Sequence, residues 1–282
     1  MSTAIGVAAV LLPGLATASQ DSTEVTMQLQ DITLTVICDN NSGNKDLKPA
    51  WGFACLIEGL KETVLFDTGA DGPTLMANMA GLGIAPDSID VVVLSHAHRD
   101  HFGGLEAILN KNGDVSVYML GSFPENMKGL AHEYGAQLVE VSEPVAVIPG
   151  VASTGEMRLG AGPREQSLIL TTGKGLIVLT GCAHPGIVAI VERAKEITGQ
   201  DVLLLAGGFH LFQKSQRATR AAILKLEELG VRYVAPGHCS GDAARQIAKE
   251  VFGKRYLNCA VGQVISSAAL TVREGEAEPP GD

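Results

Sequence analysis

The chain has 282 residues, of which 46% are hydrophobic and 18% charged, enough apolar content to bury a large core and too much for a disordered or collagen-like polymer. Its 21 Lys and Arg against 31 Asp and Glu leave a net charge of −10 with no basic run, so duplex nucleic acid is not expected as a partner. Aromatic residues make up 4% while glycine reaches 33 residues, the composition of tight turns between short strands and helices in a loop-rich α/β or α+β fold.

Residues 4–15 (AIGVAAVLLPGL) form an apolar run ending in Ala16-Thr17-Ala18, a small-x-small pattern, so residues 1–18 read as a signal peptide and the protein as periplasmic or secreted. No Lys or Arg precedes the run, and without a functional leader the expected location is the cytoplasm. A dozen residues fall short of the roughly 20 that span a bilayer, and no later segment is long and charge-free enough. One domain is expected over residues 24–272, followed by a polar, disordered tail at 273–282.

Residues 32–38 (ITLTVIC) alternate and are β-branched, and residues 53–57 give a second strand across the loop 40–49. A third strand ends in Asp67-Thr68-Gly69, residues 73–81 are helix-like, and the all-apolar strand 91–94 ends on Ser95-His96. The second half repeats that grammar. Strand 176–179 ends in Thr180-Gly181-Cys182, a helix covers 187–198, and strand 202–205 ends in Gly207-Gly208-Phe209-His210. Helices at 219–229 and 241–252 flank the strand 231–235, with Ser240 placed to cap the second. Apolar strands buried on both faces need helices outside them, and open α/β sheets collect ligands at strand C-terminal ends, so one shared site between the halves is expected.

Five cysteines (Cys38, Cys55, Cys182, Cys239 and Cys259) cannot all pair, and none forms a CxxC. Cys38 and Cys55 read as buried small hydrophobes that an exported chain could bridge, whereas Cys182 and Cys239 each sit within two residues of a histidine at a Gly-rich turn.

Six of the seven histidines lie at the ends of apolar strands, and only His132 is in ordinary helical context. The run His96-Ala97-His98-Arg99-Asp100-His101 puts four potential ligands in six residues, between a buried strand and Phe102-Gly103-Gly104, which is expected to open the next helix. In extended backbone His96 and His98 face one side and can share one ion, while Asp100 and His101 point toward a second position. An imidazole-rich set with one carboxylate suits Zn²⁺.

The chain resembles the metallo-β-lactamase fold superfamily in its HxHxDH after a strand. It resembles the branch called dihydropterin ribofuranosyl-aminobenzene phosphate synthase-like in LFDTG (65–69), GCAHPG (181–186), GGFHL (207–211) and PGHCSG (236–241). The resemblance implies a four-layer αβ/βα sandwich with a two-metal site at the edge between two sheets. Relatives commonly draw a third histidine for the first metal from a loop whose counterpart here, residues 147–157, has none, so His184 must substitute. Where many relatives place a bridging aspartate, this chain has Cys182, which could contact metal or simply pack. The resulting assignment is His96, His98 and His184 on one ion and Asp100, His101 and His238 on the other, with Asp67 orienting a ligand imidazole and His210 touching metal, substrate or a leaving group.

Two divalent metals, Zn²⁺ first with Mn or Fe also fitting, held about 3.5–4 Å apart would bind a shared water and lower its pKa toward about 7, so a metal-bridged hydroxide could attack a carbonyl or phosphoryl ester-type small molecule. Asp100 or His210 would manage the proton. Arg164, Lys174, Lys214 and Arg217 are candidates to grip an anionic group, although lone cations on an acidic chain are more often solvated. A mononuclear iron oxygenase on the same cage, or a non-catalytic module stabilised by metal, are the alternatives.

Overall fold

The computed structural model describes residues 31–271, and the leader and tail expected from the sequence lie outside that range. The elements, in chain order, begin with the strands β1 (Thr33–Cys38), β2 (Ala54–Glu58) and β3 (Val64–Phe66), the helix α1 (Gly72–Leu82) and β4 (Val91–Val93). The short helices α2 (Arg99–Phe102) and α3 (Leu105–Leu109) follow, then β5 (Ser116–Leu120), α4 (Glu125–Glu133), β6 (Gln137–Val141), β7 (Val145–Ile148), β8 (Val151–Ser153) and β9 (Leu168–Thr172). The remainder runs β10 (Gly175–Thr180), α5 (Ile187–Thr198), β11 (Val202–Gly208), α6 (Gln216–Glu228), β12 (Tyr233–Gly237), α7 (Asp242–Phe252) and β13 (Val264–Ser266).

The strands form two sheets, ordered β13-β1-β2-β3-β4-β5-β6 and β12-β11-β10-β9-β8-β7. Strand alternation divides the side chains among three apolar layers. Between the sheets, Val36, Phe53, Phe66 and Val93 meet Leu168, Leu170, Ile177 and Leu179. Outside the first sheet, Leu65 and Val92 pack on Leu75, Met79 and Ile108, and outside the second Val178 and Leu205 pack on Ile190, Ile223 and Ala248. The result is the expected four-layer α/β sandwich. Each sheet carries a parallel core, β3-β4-β5-β6 in one and β10-β11-β12 in the other. Among the described residues no helix is long and apolar enough to cross a membrane.

Local chemistry explains the boundaries. Asp71 caps α1 by accepting from the Thr74 N–H, Pro73 fits its first turn, and Gly83 ends it in the left-handed region. Strand β11 runs two residues beyond expectation because Gly207 and Gly208 stay in register with Pro236 and Gly237 of β12. A Cβ on Gly207 would lie 2.0 Å from the Thr180 carbonyl oxygen, and its φ of +109° already favours glycine. Gly104 is the N-cap of α3, as expected of the Phe102-Gly103-Gly104 run, but one further helical turn, α2, precedes it from Arg99 with His98 in the N-cap position; a Cβ on Gly103 between them would lie 2.0 Å from the Ala70 carbonyl oxygen. Ser240 does not cap α7; its Oγ accepts from the Phe209 N–H instead, and Gly241 stands at the cap. The strands from β5 to β9 are short, β6 and β7 are also half-exposed, and the apolar-run pattern gave no sign of any of the five.

Lys174, in the β9–β10 turn, donates to the carbonyls of Ser267, Ala268 and Leu270 just after β13. It fastens the second sheet to the segment leaving the first, which removes it from the candidates for gripping substrate.

All five cysteines are free and buried. The expected option of a Cys38–Cys55 bridge fails geometrically, because Cys55 points between the sheets while Cys38 points to the helical side of the first sheet. Burial pushes both thiols up to about 12. An unfolded thiol ionises near pH 8.5, so over the window from about 9 to 12 the unfolded chain sheds protons the native chain keeps, and stability should fall as pH rises. Alkylation at pH 8 should leave Cys38 and Cys55 unmodified in native protein and modify both in denaturant; peptide mapping that finds either labelled in the native state would contradict the packing.

Candidate metal centre

The C-terminal ends of strands from both sheets deliver the polar residues. Asn40 follows β1, Asp67 follows β3, Ser95 and His96 follow β4, Cys182 and His184 follow β10, His210 follows β11 and His238 follows β12. Among the described residues four non-glycines have positive φ, namely Asp67 (58°), Ala183 (64°), His210 (50°) and His238 (42°), and all four are here. Such backbone costs of order 1 kcal/mol or more each and persists only where the surroundings over-determine it.

Hydrogen placement follows from the partners of each ring. The Asp67 carboxylate accepts from the Ser95 N–H at 2.7 Å and from the Ser95 hydroxyl at 2.8 Å, and it lies 2.7 Å from His101 Nδ1. A carboxylate only accepts, so His101 Nδ1 carries a hydrogen and the neutral ring presents a bare Nε2. Because the Ser95 hydrogen is given to Asp67, Ser95 Oγ accepts from His96 Nδ1 at 2.9 Å, and His96 Nε2 is also bare. Asn40 Nδ2 donates to the His238 carbonyl, which orients its Oδ1 toward His238 Nδ1 at 2.8 Å and bares a third Nε2.

These bare nitrogens converge. His101 Nε2 and His238 Nε2 face each other at 3.2 Å, with Asp100 Oδ2 at 3.6 and 3.3 Å from them. His96 Nε2 lies 3.0 Å from His98 Nδ1, and the buried His184 Nε2 has no hydrogen-bond partner. The buried lone pairs of His101 and His238, pointed at one another beside the Asp100 carboxylate, are costly unless a cation sits among them, and the donor set of five imidazoles and one carboxylate is what divalent metals bind. The residues present therefore fit a metal centre. Within each of the groups His96, His98, His184 and Asp100, His101, His238, the potential ligand atoms all lie within 4.8 Å of one another.

Electrostatics follow from the same packing. Burial drives the His96 and His98 values down, aided by neighbouring rings, and lowers His184 to about 3. Burial opposes charge on His101 too, yet the Asp67 carboxylate more than offsets it and the value rises. Asp100 is held well below the usual carboxylate range because, against the effect of burial, the His238 and His101 imidazoles face it at 3.3 and 3.6 Å.

His132 is exposed on α4, away from the site. The His210 ring lies 4.3 Å from that of His184 and 5.6 Å from Phe212, and its value is raised by the Cys239 contact. Cys182 Sγ is 3.2 Å from His101 Nε2 and groups with His96 and His101, and also with His210 and Cys239. Arg164 pairs with Glu156, and with Arg158 it lines a cavity of about 350 Å³ that reaches His98. Ser95, Asn40, Asp39 and Glu165 were not singled out from the sequence. Asp39 accepts from the His238 N–H, and Asp39-Asn40 ending an apolar strand is the kind of signal that marked Asp67. Glu165 had no local signal. Its carboxylate accepts from the backbone of Cys182, Ala183 and His184, a contact visible only in three dimensions.

Comparison with known proteins identifies the family. The chain is 28% identical over 288 aligned positions, covering 84% of itself and 97% of the relative, to the 7,8-dihydropterin-6-methyl-4-(β-D-ribofuranosyl)-aminobenzene-5′-phosphate synthase of Methanocaldococcus jannaschii. It is similar to the crystal structure of Tm1679, a metal-dependent hydrolase of the β-lactamase superfamily, with a TM-score of 0.70 and 27% identity over 83% of this chain and 98% of that one. The metallo-β-lactamase fold protein YhfI from Bacillus subtilis shares the fold, with a TM-score of 0.63 at 16% identity over 84% of this chain and 100% of that one. Residues 52–238, more than half of the chain, match the model described as metallo-beta-lactamase superfamily. The chain belongs to the metallo-β-lactamase superfamily.

Proposed function

We propose that this protein is a binuclear metal-dependent hydrolase acting on a small ester-type substrate that carries an anionic group. The observation that carries the proposal is the accounting of hydrogens: three imidazoles have one nitrogen committed to Asp67, Ser95 or Asn40 and the other bare and aimed inward. His96, His98 and His184 would hold one cation, and Asp100, His101 and His238 the other. Divalent cations there supply hydroxide at neutral pH and polarise a carbonyl or phosphoryl oxygen.

The chain's own residues do the rest. Asp67 and Asn40 keep the ligand rings from rotating. Asp100 stays anionic as a ligand, and His210, beside His184, is placed to donate a proton to a leaving group. The cavity beside His98, lined by Ala97, Phe123, Arg158, Pro163 and Arg164, offers guanidinium groups for an anion. The phosphate in the name of the M. jannaschii relative is consistent with that chemistry.

Asp100→Ala should reduce divalent metal from two ions to one per chain and cut turnover on a panel of phosphoesters, esters and lactones by about a hundredfold or more, with unchanged circular dichroism. Unaltered metal content would overturn the assignment of Asp100, and one iron per chain with no hydrolysis would favour oxygen chemistry. Asp67→Asn tolerates the left-handed backbone but cannot accept in the same way from both Ser95 and His101. It should lose about 1–3 kcal/mol in denaturant titrations and about 10- to 100-fold in metal affinity; parent-like values for both would refute the orienting role.

A further inference from the structure

We infer that Glu165 is a positioning residue of the metal centre: its carboxylate holds the turn 182–184 in the shape that presents the His184 ring to its cation. The inference rests on the reading of His184 as a metal ligand. Glu165 is 1% exposed, and its acceptor contacts are three consecutive main-chain amides rather than a Lys or Arg. Oε1 accepts from Cys182 N at 2.9 Å and Ala183 N at 2.8 Å, and Oε2 from His184 N at 2.8 Å.

Successive amides of an extended chain point to opposite sides, so aiming three at one group requires a sharp change of backbone conformation. Ala183 supplies it with φ of 64°, a conformation alanine does not favour by itself. Hydrogen bonds from amides to a carboxylate are of the charge-assisted kind and offset that strain. Releasing them would let Ala183 return to ordinary backbone and swing His184 away.

Glu165 is itself fixed. Its N–H donates to the Met157 carbonyl at 3.0 Å, and its carbonyl accepts from Met157 at 2.9 Å. The next residue, the buried Gln166, reaches the other arm of the site: its N–H donates to Ser95 O at 2.9 Å and its Nε2 to Leu94 O at 2.8 Å. The dipeptide 165–166 thus grips the chain that carries His96 on one side and the turn that carries His184 on the other, setting the spacing between two ligands from different sheets.

The test is a Co²⁺ titration followed by absorbance on the full chain and on its Glu165→Gln and His184→Asn variants. Glutamine keeps one oxygen acceptor but sets an NH₂ group against a main-chain N–H. Glu165→Gln should weaken one of the two ions about 10- to 100-fold, the same ion that His184→Asn weakens, and leave the other at parent affinity. Parent affinity for both ions in Glu165→Gln, with one lost in His184→Asn, would overturn the inference. So would an equal weakening of both ions, the mark of a merely structural role. No loss in His184→Asn would overturn the metal reading and the inference with it. Should Glu165→Gln fail to fold, hydrogen exchange on the metal-free parent decides: the amides of residues 182–184 should be protected, and exchange at the rate of an open loop would refute the clamp.

Discussion

The site depends on the hydrogen bonds of a single carboxylate. Asp67 is fully buried, sits in left-handed backbone at the end of β3, and accepts from two groups of Ser95 and one of His101. Through Ser95 it also settles His96, so one side chain fixes the tautomers of two rings that face different members of the ligand cluster. Asn40 does the equivalent for His238 from the first strand. Both orienting groups stand where buried strands of the first sheet end, and the rigidity of those strands passes directly to the imidazoles.

Other parts of the fold serve the same placement. The parallel cores of the two sheets deliver loops from strand C-terminal ends to a common edge, where ligands gather in α/β proteins. The glycines at 207 and 208 bring the ends of β10 and β11 into close register, so Cys182 and His210 emerge near each other. Strained backbone at Ala183, His210 and His238 is confined to that edge, a distribution expected where function sets the conformation and the rest of the chain stabilises it.

Much of this was legible in the amino-acid order. The strands ending in Asp67, His96, Cys182 and His210 are short apolar runs closed by turn residues, a pattern that survives without tertiary information. The five imidazole candidates were legible for the same reason, since histidines at strand ends have few other uses, and Asp100 stood out by its place between His98 and His101. The strands β5 to β9 escaped because three to five residues, half-exposed in β6 and β7, carry too little pattern to tell from a loop. Ser240 misled because a serine before a helix usually caps it, whereas here a closer main-chain donor at Phe209 takes the hydroxyl. Glu165 lies 17 to 19 residues before its partners, and no local rule links a glutamate to a turn that far away.

Lys174 gives the sandwich a second fastening. Strand β10 begins beside that lysine, which grips three carbonyls just past β13, and ends beside Cys182 at the opposite end of the same strand. The two sheets are thus tied together at both ends of β10, through Lys174 at one and through the polar cluster at the other. Like a book clasped along spine and fore-edge, the layers have little freedom to part. A molecule reaching the cluster therefore meets it at this edge, by the cavity beside His98 or past the exposed rings of Trp51 and Phe212 that border His238 and His210, and not by prising the sheets open.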